Sequence, residues 1–265
     1  MLCREACVAN SVALRTMRFQ VILLVVAAQT AQGLLRSALV SPGKAVSVSI
    51  EYSGAAEAID ELSQELRKAK AATIWCDDVD AVRCFAAEQS TAKGDFPGPL
   101  PVVYDGTDRQ AAIDAGASAV VADAGEDVSV APVIWRVTAD NAGDAAAAAG
   151  EGDAFLFDAD ATADVVAVLP KKAIAVAALA AMQEDEAEVE AGRACRDAGA
   201  AGVLLQGACV GDDEDIKYAR HAVGLLRSKR SSSFAMDGFT GSTNGHFGTS
   251  YGGADKPKAW KRQLA

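Results

Sequence analysis

The residues able to do chemistry in this chain are mostly carboxylates, and they recur at one kind of place, directly after short apolar runs. Glu51 follows Val46-Ser47-Val48-Ser49-Ile50, and Asp77 and Asp78 follow Ala72-Thr73-Ile74-Trp75 and Cys76. Asp105 follows Pro101-Val102-Val103-Tyr104, Asp123 follows Ala119-Val120-Val121-Ala122, and Asp158 and Asp160 follow Ala154-Phe155-Leu156-Phe157. One cation breaks the series: Arg136, at the end of Val133-Ile134-Trp135. Converging carboxylates are hard oxygen donors of the kind that Mg²⁺ takes, often only one or two at a time. A carboxylate beside an arginine can also move a proton at a reacting carbon or hold a substrate's charge. Glu51, Asp105, Arg136 and Asp158 are therefore the candidate catalytic residues. The same residue type has a structural use as well. Asp77, Asp78, Asp108, Asp140, Asp158 and Asp160 stand where helices should begin, and a carboxylate there accepts from free amides and offsets the helix dipole. No metal site is assigned and no cofactor is expected.

Other reactive types are scarce. The two histidines are His221, inside a helical pattern, and His246, so a histidine-based metal or acid–base site has little to stand on. Cys76, Cys84, Cys195 and Cys209 lie at scattered spacings without a C-x-x-C pair and read as small buried hydrophobes. Gly207 and Gly211, after the last apolar run, could bring backbone amides toward an anion at a helix start. They are the candidate phosphate- or anion-binding positions. Asp212, Asp213, Glu214 and Asp215 come straight after them. At an effective dielectric near 20, like charges a few ångströms apart cost on the order of several kcal/mol, so a sugar phosphate would be repelled there.

Eight β-rich runs must position these residues: those named above, Ala173-Ile174-Ala175-Val176, and Gly202-Val203-Leu204-Leu205. They alternate with helical segments, the pattern of parallel strands joined by helical crossovers. Ala55–Lys70 places Ala58, Ile59, Leu62 and Leu66 on one side, and Glu186–Ala198 does the same with Val189, Ala194 and Cys195. Asp114-Ala115-Gly116-Ala117 and Asp197-Ala198-Gly199-Ala200 supply helix C-caps. The fourth crossover, Gly125–Ala131, is too short for a proper helix. Eight strands close a ring, so the expectation is a single (β/α)8 barrel over residues 46–228, with an open doubly wound sheet as the alternative. In such a barrel the carboxylates and Arg136 share one rim, where barrel active sites lie.

Composition agrees. A chain of 265 residues with 51% apolar and 6% aromatic residues fits one large domain with a core of small aliphatic side chains. Charge is divided: 4 basic against 1 acidic residue over 1–40, 14 against 33 over 41–226, and 7 against 2 over 227–265. An acidic body repels nucleic acid and anionic membrane, so neither is an expected partner.

The stretch Pro101-Val102-Val103-Tyr104-Asp105, followed by Asp108-Arg109-Gln110-Ala111-Ala112-Ile113-Asp114-Ala115-Gly116-Ala117, resembles the matching part of indole-3-glycerol phosphate synthases. So does Ala198-Gly199-Ala200-Ala201-Gly202-Val203-Leu204-Leu205-Gln206-Gly207. The likeness covers most of residues 46–228. It implies ring closure of a carboxyphenylamino deoxyribulose phosphate, with a lysine as general acid, glutamates as base and support, and glycine amides on the phosphate. Set on that pattern, strand one keeps a carboxylate at Glu51 but lacks the lysine beyond it. The catalytic lysine falls near Tyr104-Asp105, the strand-five glutamate becomes Arg136, and the Asn-Asn-Arg end of strand six becomes Asp158-Ala159-Asp160. The Ser-Glu-Ser-Gly end of strand seven becomes Ala177-Ala178-Leu179-Ala180. The resemblance therefore implies a barrel of this type whose acid–base groups are replaced and which binds or assembles. The alternatives are an active synthase, or a divalent-metal lyase or aldolase using Glu51, Asp105 and Asp158.

The ends read as addresses and arms. Arg15 and Arg18 precede the apolar run Val21–Ala28, with Ala31-Gln32-Gly33 as a small-residue cleavage zone, which reads as a secretory signal too short to span a bilayer. Leu34-Leu35-Arg36-Ser37-Ala38-Leu39 then has transit-peptide composition. Together they imply a two-part plastid presequence over residues 1–40, with simple secretion as the alternative and no membrane span in the mature protein. Residues 229–265 form a basic, Gly- and Ser-rich tail expected to be flexible. It could reach a protein partner, while a sugar-phosphate-like molecule is the small-ligand expectation.

Overall fold

A computed structural model describes residues 33–40, 46–54, 59–92, 94, 98–128, 132–148, 153–183, 186–210 and 213–227. Gly211, residues 228–265, and residues 1–32 of the expected presequence lie outside them. Eight strands run in the order β1 (Ser47–Tyr52), β2 (Ile74–Cys76), β3 (Val102–Tyr104), β4 (Ala119–Asp123), β5 (Val133–Arg136), β6 (Ala154–Asp158), β7 (Ile174–Ala180) and β8 (Gly202–Cys209). Each pairs in parallel with the next, and β1 pairs with β8, so the sheet closes as a (β/α)8 barrel. That closure rules out the open doubly wound sheet.

The helices are α1 (residues 33–39), α2 (Ile59–Ala69), α3 (Val79–Thr91), α4 (Arg109–Ala115), α5 (Ala142–Ala148), α6 (Thr162–Val168), α7 (Ala187–Asp197) and α8 (Asp213–Arg227), with a 3₁₀ turn at Ala159–Ala161. Among the described residues between β4 and β5 there is no helix, as the short crossover requires. In α2, Ile59, Leu62 and Leu66 are buried against the strands, with Asp60 and Glu61 in the first turn and Arg67 and Lys68 in the last, where each sign suits the helix dipole. Gly116 closes α4 in the left-handed region at φ 108°, a conformation that costs a side chain with a Cβ. In α7 the inward face is Glu188, Val189, Gly192 and Cys195. Ala194, expected on that face, is exposed because it lies off the inward stripe of a 3.6-residue period.

The strands' two faces divide the core. Outward residues, among them Val48, Ile50, Ile74, Val102, Phe155 and Val203, pack under the helices. Inward residues fill the barrel itself: Trp75, Val103, Val121, Ile134, Leu156, Val176 and Leu204. A short polar chain threads that interior, with Trp75 Nε1 donating to Thr73 Oγ1 (2.7 Å) and Thr73 Oγ1 donating to Ser49 Oγ (2.7 Å). Between α2 and α3, buried Glu88 accepts from Arg67 (2.6 Å), Ser63 and Gln89.

Residues 33–40 are folded onto this framework. Leu35 (3% exposed) and Leu39 (0%) join the inward cluster with Trp75, Ala154 and Ile174. The Leu39 carbonyl accepts from Ser47 Oγ at the start of β1 (2.7 Å). Helix α1 therefore seals the barrel at the strands' N-terminal ends.

Candidate functional site

At the C-terminal rim, three of the four candidate catalytic residues come together. Arg136, the last residue of β5, places Nη2 on both Asp105 oxygens (2.7 and 2.6 Å) and Nη1 3.6 Å from Asp123 Oδ1. Asp105 is held just beyond β3 by its own amide, which donates to the Cys76 carbonyl (2.8 Å). Glu51 lies close enough for both Asp105 and Arg136 to act on its ionisation. Asp158 does not join them. It ends β6 exposed, at the N-cap position of the 3₁₀ turn, without a capping hydrogen bond from its side chain. Of the aspartates read as caps, Asp78 does cap, accepting from the Ala81 amide (2.9 Å), whereas Asp108 occupies an N-cap position without such a bond.

A bulge ties Glu51 to the other side of the ring. Ile50 pairs with Leu205 and Tyr52 with Cys209, so Gln206, Gly207 and Ala208 stand opposite the single residue Glu51. Gly207, at φ 65°, turns its amide across the gap and donates to Glu51 Oε2 (2.6 Å). Next along the strand, Val210 N–H donates to Asp215 Oδ2 (2.6 Å), and Asp215 is buried. Asp215, read from sequence as one of four repelling carboxylates, thus turns inward to satisfy the end of β8. The loop after β1 lies hard against this corner: a Cβ on Gly54 would sit 1.8 Å from the Val210 carbonyl oxygen. The one described member of the candidate anion site, Gly207, has its amide engaged by the chain's own carboxylate.

Burial raises the Glu51 carboxyl above its ordinary range. The Gly207 amide works against that rise, Asp105 and Asp77 add to it, and Arg136 opposes it. A half-buried acid held partly toward its neutral form can give or take a proton near neutrality more readily than an exposed glutamate. Rim cations are otherwise committed: Arg109 pairs with Glu126 (2.6 Å) and donates to the Val121 carbonyl (2.9 Å). No described lysine or histidine lies at a strand's C-terminal end, and His221 pairs with Glu186 on the outer layer (3.0 Å). Among the described residues no three His, Cys, Asp or Glu side chains gather in a way that could hold a metal ion, so Glu51, Asp105 and Asp158 do not form the metal cluster expected of a lyase.

A cavity of about 750 Å³ opens at the opposite end, between α1 and the starts of β2 and β3, with Arg67, Lys70 and Arg227 in its wall. Of these, Arg227 Nη1 donates to the Lys70 carbonyl just past α2 (2.8 Å) and Arg67 is paired with Glu88 (2.6 Å). Conserving the fold, not chemistry, is the usual work of that face.

No protein-family model matches the chain, and no curated protein matches it. Solved structures do. Thiamine phosphate pyrophosphorylase from Pyrococcus furiosus aligns at 11% identity over 72% of this chain and 97% of that one, with a TM-score of 0.49. N-acetylmannosamine-6-phosphate 2-epimerase from Clostridium perfringens aligns at 10% over 64% and 90%, with a TM-score of 0.47. A chain of the Pyrococcus furiosus tryptophan synthase complex aligns at 8% over 69% and 97%, with a TM-score of 0.46. The likeness is one of barrel fold alone. The site must be judged on its own geometry.

Proposed function

We propose that this chain is an indole-3-glycerol phosphate synthase-like barrel that no longer carries out the reaction and serves as a binding or assembly component. The observation that carries this reading is the Glu51 carboxylate seated on the Gly207 amide (2.6 Å), where the resemblance would put a substrate phosphate. An anion arriving there must displace a carboxylate that remains covalently in place and then sit beside it. The pairing of Arg136 with Asp105 and Asp123 supports the same reading, because a substrate carboxylate would have to break those contacts first.

A second reading has one observation in its favour. Glu51, raised by burial and facing Asp105, has the character of a general acid, so an active carbon–carbon lyase built around Glu51 and Arg136 is the alternative.

One assay separates them: indole-3-glycerol formation by the purified protein with the carboxyphenylamino deoxyribulose phosphate and Mg²⁺, run beside Glu51→Gln. The proposal expects no turnover from either protein, with both folded by circular dichroism. Turnover by the parent that is lost in Glu51→Gln would replace it with the lyase reading.

A further inference from the structure

We infer that residues 33–40 belong to the mature protein as the seal of its barrel, and that any leader is removed upstream of Gly33. By composition this segment resembles the second half of a two-part address. Its individual residues are used differently. Leu35 and Leu39, four apart and so on one face of α1, are buried in the barrel's inward cluster, while Arg36 and Ser37 between them and Leu34 just before them are exposed. That division is the pattern of a helix docked on a core, and a transit peptide read by an import receptor has no need of it. The backbone is tied in too: the Leu39 carbonyl takes the Ser47 hydroxyl at the first residue of β1.

Without α1, the inward side chains nearest the strands' beginnings, among them Ala154 and Ile174, would lose the cover they now have. The barrel would open to water at its base. A protease acting after Leu39 would thus cut away part of the fold. Ala27 and Ala28 close the apolar run Val21–Ala28, and Ala31 follows it; these small residues lie before this boundary, where a secretory-type cut falls. The address that remains is one-part, which favours delivery through the secretory route alone over a two-step plastid route. This inference is independent of whether the rim is catalytic.

Two measurements test it. N-terminal sequencing of the protein recovered from cells that make it should give a first residue at Gly33 or earlier; a start at Leu34 or later in folded protein overturns the inference. Independently, Leu35→Ala combined with Leu39→Ala in the same protein should lower Tm by about 10 °C, as expected for two buried leucines in a domain of this size. A melt unchanged to within about 2 °C would show that α1 seals nothing, and would overturn it as well.

Discussion

Replacing Arg136 with methionine tests whether the rim is locked. The guanidinium grips both oxygens of Asp105 and reaches Asp123 at 3.6 Å. Two unit charges 4 Å apart attract by about 4 kcal/mol at an effective dielectric of 20, which is a ceiling. The Arg136 side chain is 45% exposed and that of Asp105 21%, so water screens the pair. Exposed pairs contribute about 0.2–1 kcal/mol, which puts the coupling here near 1 kcal/mol. Arg136→Met alone should cost about 2 kcal/mol, because Asp105, Asp123 and Glu51 are then left facing one another without a cation. Asp105→Asn alone should cost about 1 kcal/mol, and the double variant about 2 rather than 3. Urea denaturation at neutral pH and low salt measures all three, and the coupling should shrink by half or more in about 0.5 M NaCl. A coupling within about 0.3 kcal/mol of zero at low salt would refute the reasoning. Arg136 would then be free to receive a substrate anion, and the lyase reading would gain.

Three further outcomes are expected. Glu51 has its folded pKa raised from 4.5, so its favourable contribution is complete below that value and is lost as pH rises through the folded pKa. Glu51→Gln does not titrate and keeps an oxygen for the Gly207 amide; its stability relative to the parent should therefore improve as pH rises above 4.5, and a pH-independent difference in paired melts would contradict the assigned shift. Glu88→Ala should cost about 3–5 kcal/mol in chemical denaturation, because it strands buried Arg67; a loss below about 1 kcal/mol would mean that the α2–α3 network relaxes freely. Gly54→Ala drives a methyl into the Val210 carbonyl and should cost more than about 3 kcal/mol, so a thermal melt like the parent's would show that the β1–β8 corner yields.

The barrel was legible because its strands announce themselves locally. All eight β-rich runs became strands. Their ends were less clear: β7 continues through Ala177-Ala178-Leu179-Ala180 and β8 through Gln206-Gly207-Ala208-Cys209, residues with weak strand preference that are held by pairing with their neighbours. The rim was legible as a set of residue types, but its wiring was not. The contact between Glu51 and Gly207 depends on a bulge between strands at opposite ends of the chain, and no local pattern encodes that register. Asp215 looked like one of four like charges, and only the fold shows it turned inward on Val210. Leu35 and Leu39 were hidden by the basic and hydroxylated residues around them, which gave the segment the composition of an address.

A closed ring has no edge strands, and the crossover between β4 and β5, which has no helix among its described residues, decides where this one would first acquire them. Val133 and Trp135 on the outer face of β5 are only half-buried, so parting β4 from β5 gives up less packing than parting strands under a full helical layer. A breach there would bare two edges at once, one along Val120–Asp123 and one along Val133–Arg136, and both are apolar enough to pair with another open molecule. Asp123 and Arg136 stand at the ends of those edges. The charges that shape the mouth of the folded barrel would thus also act as gatekeepers against aggregation when it opens.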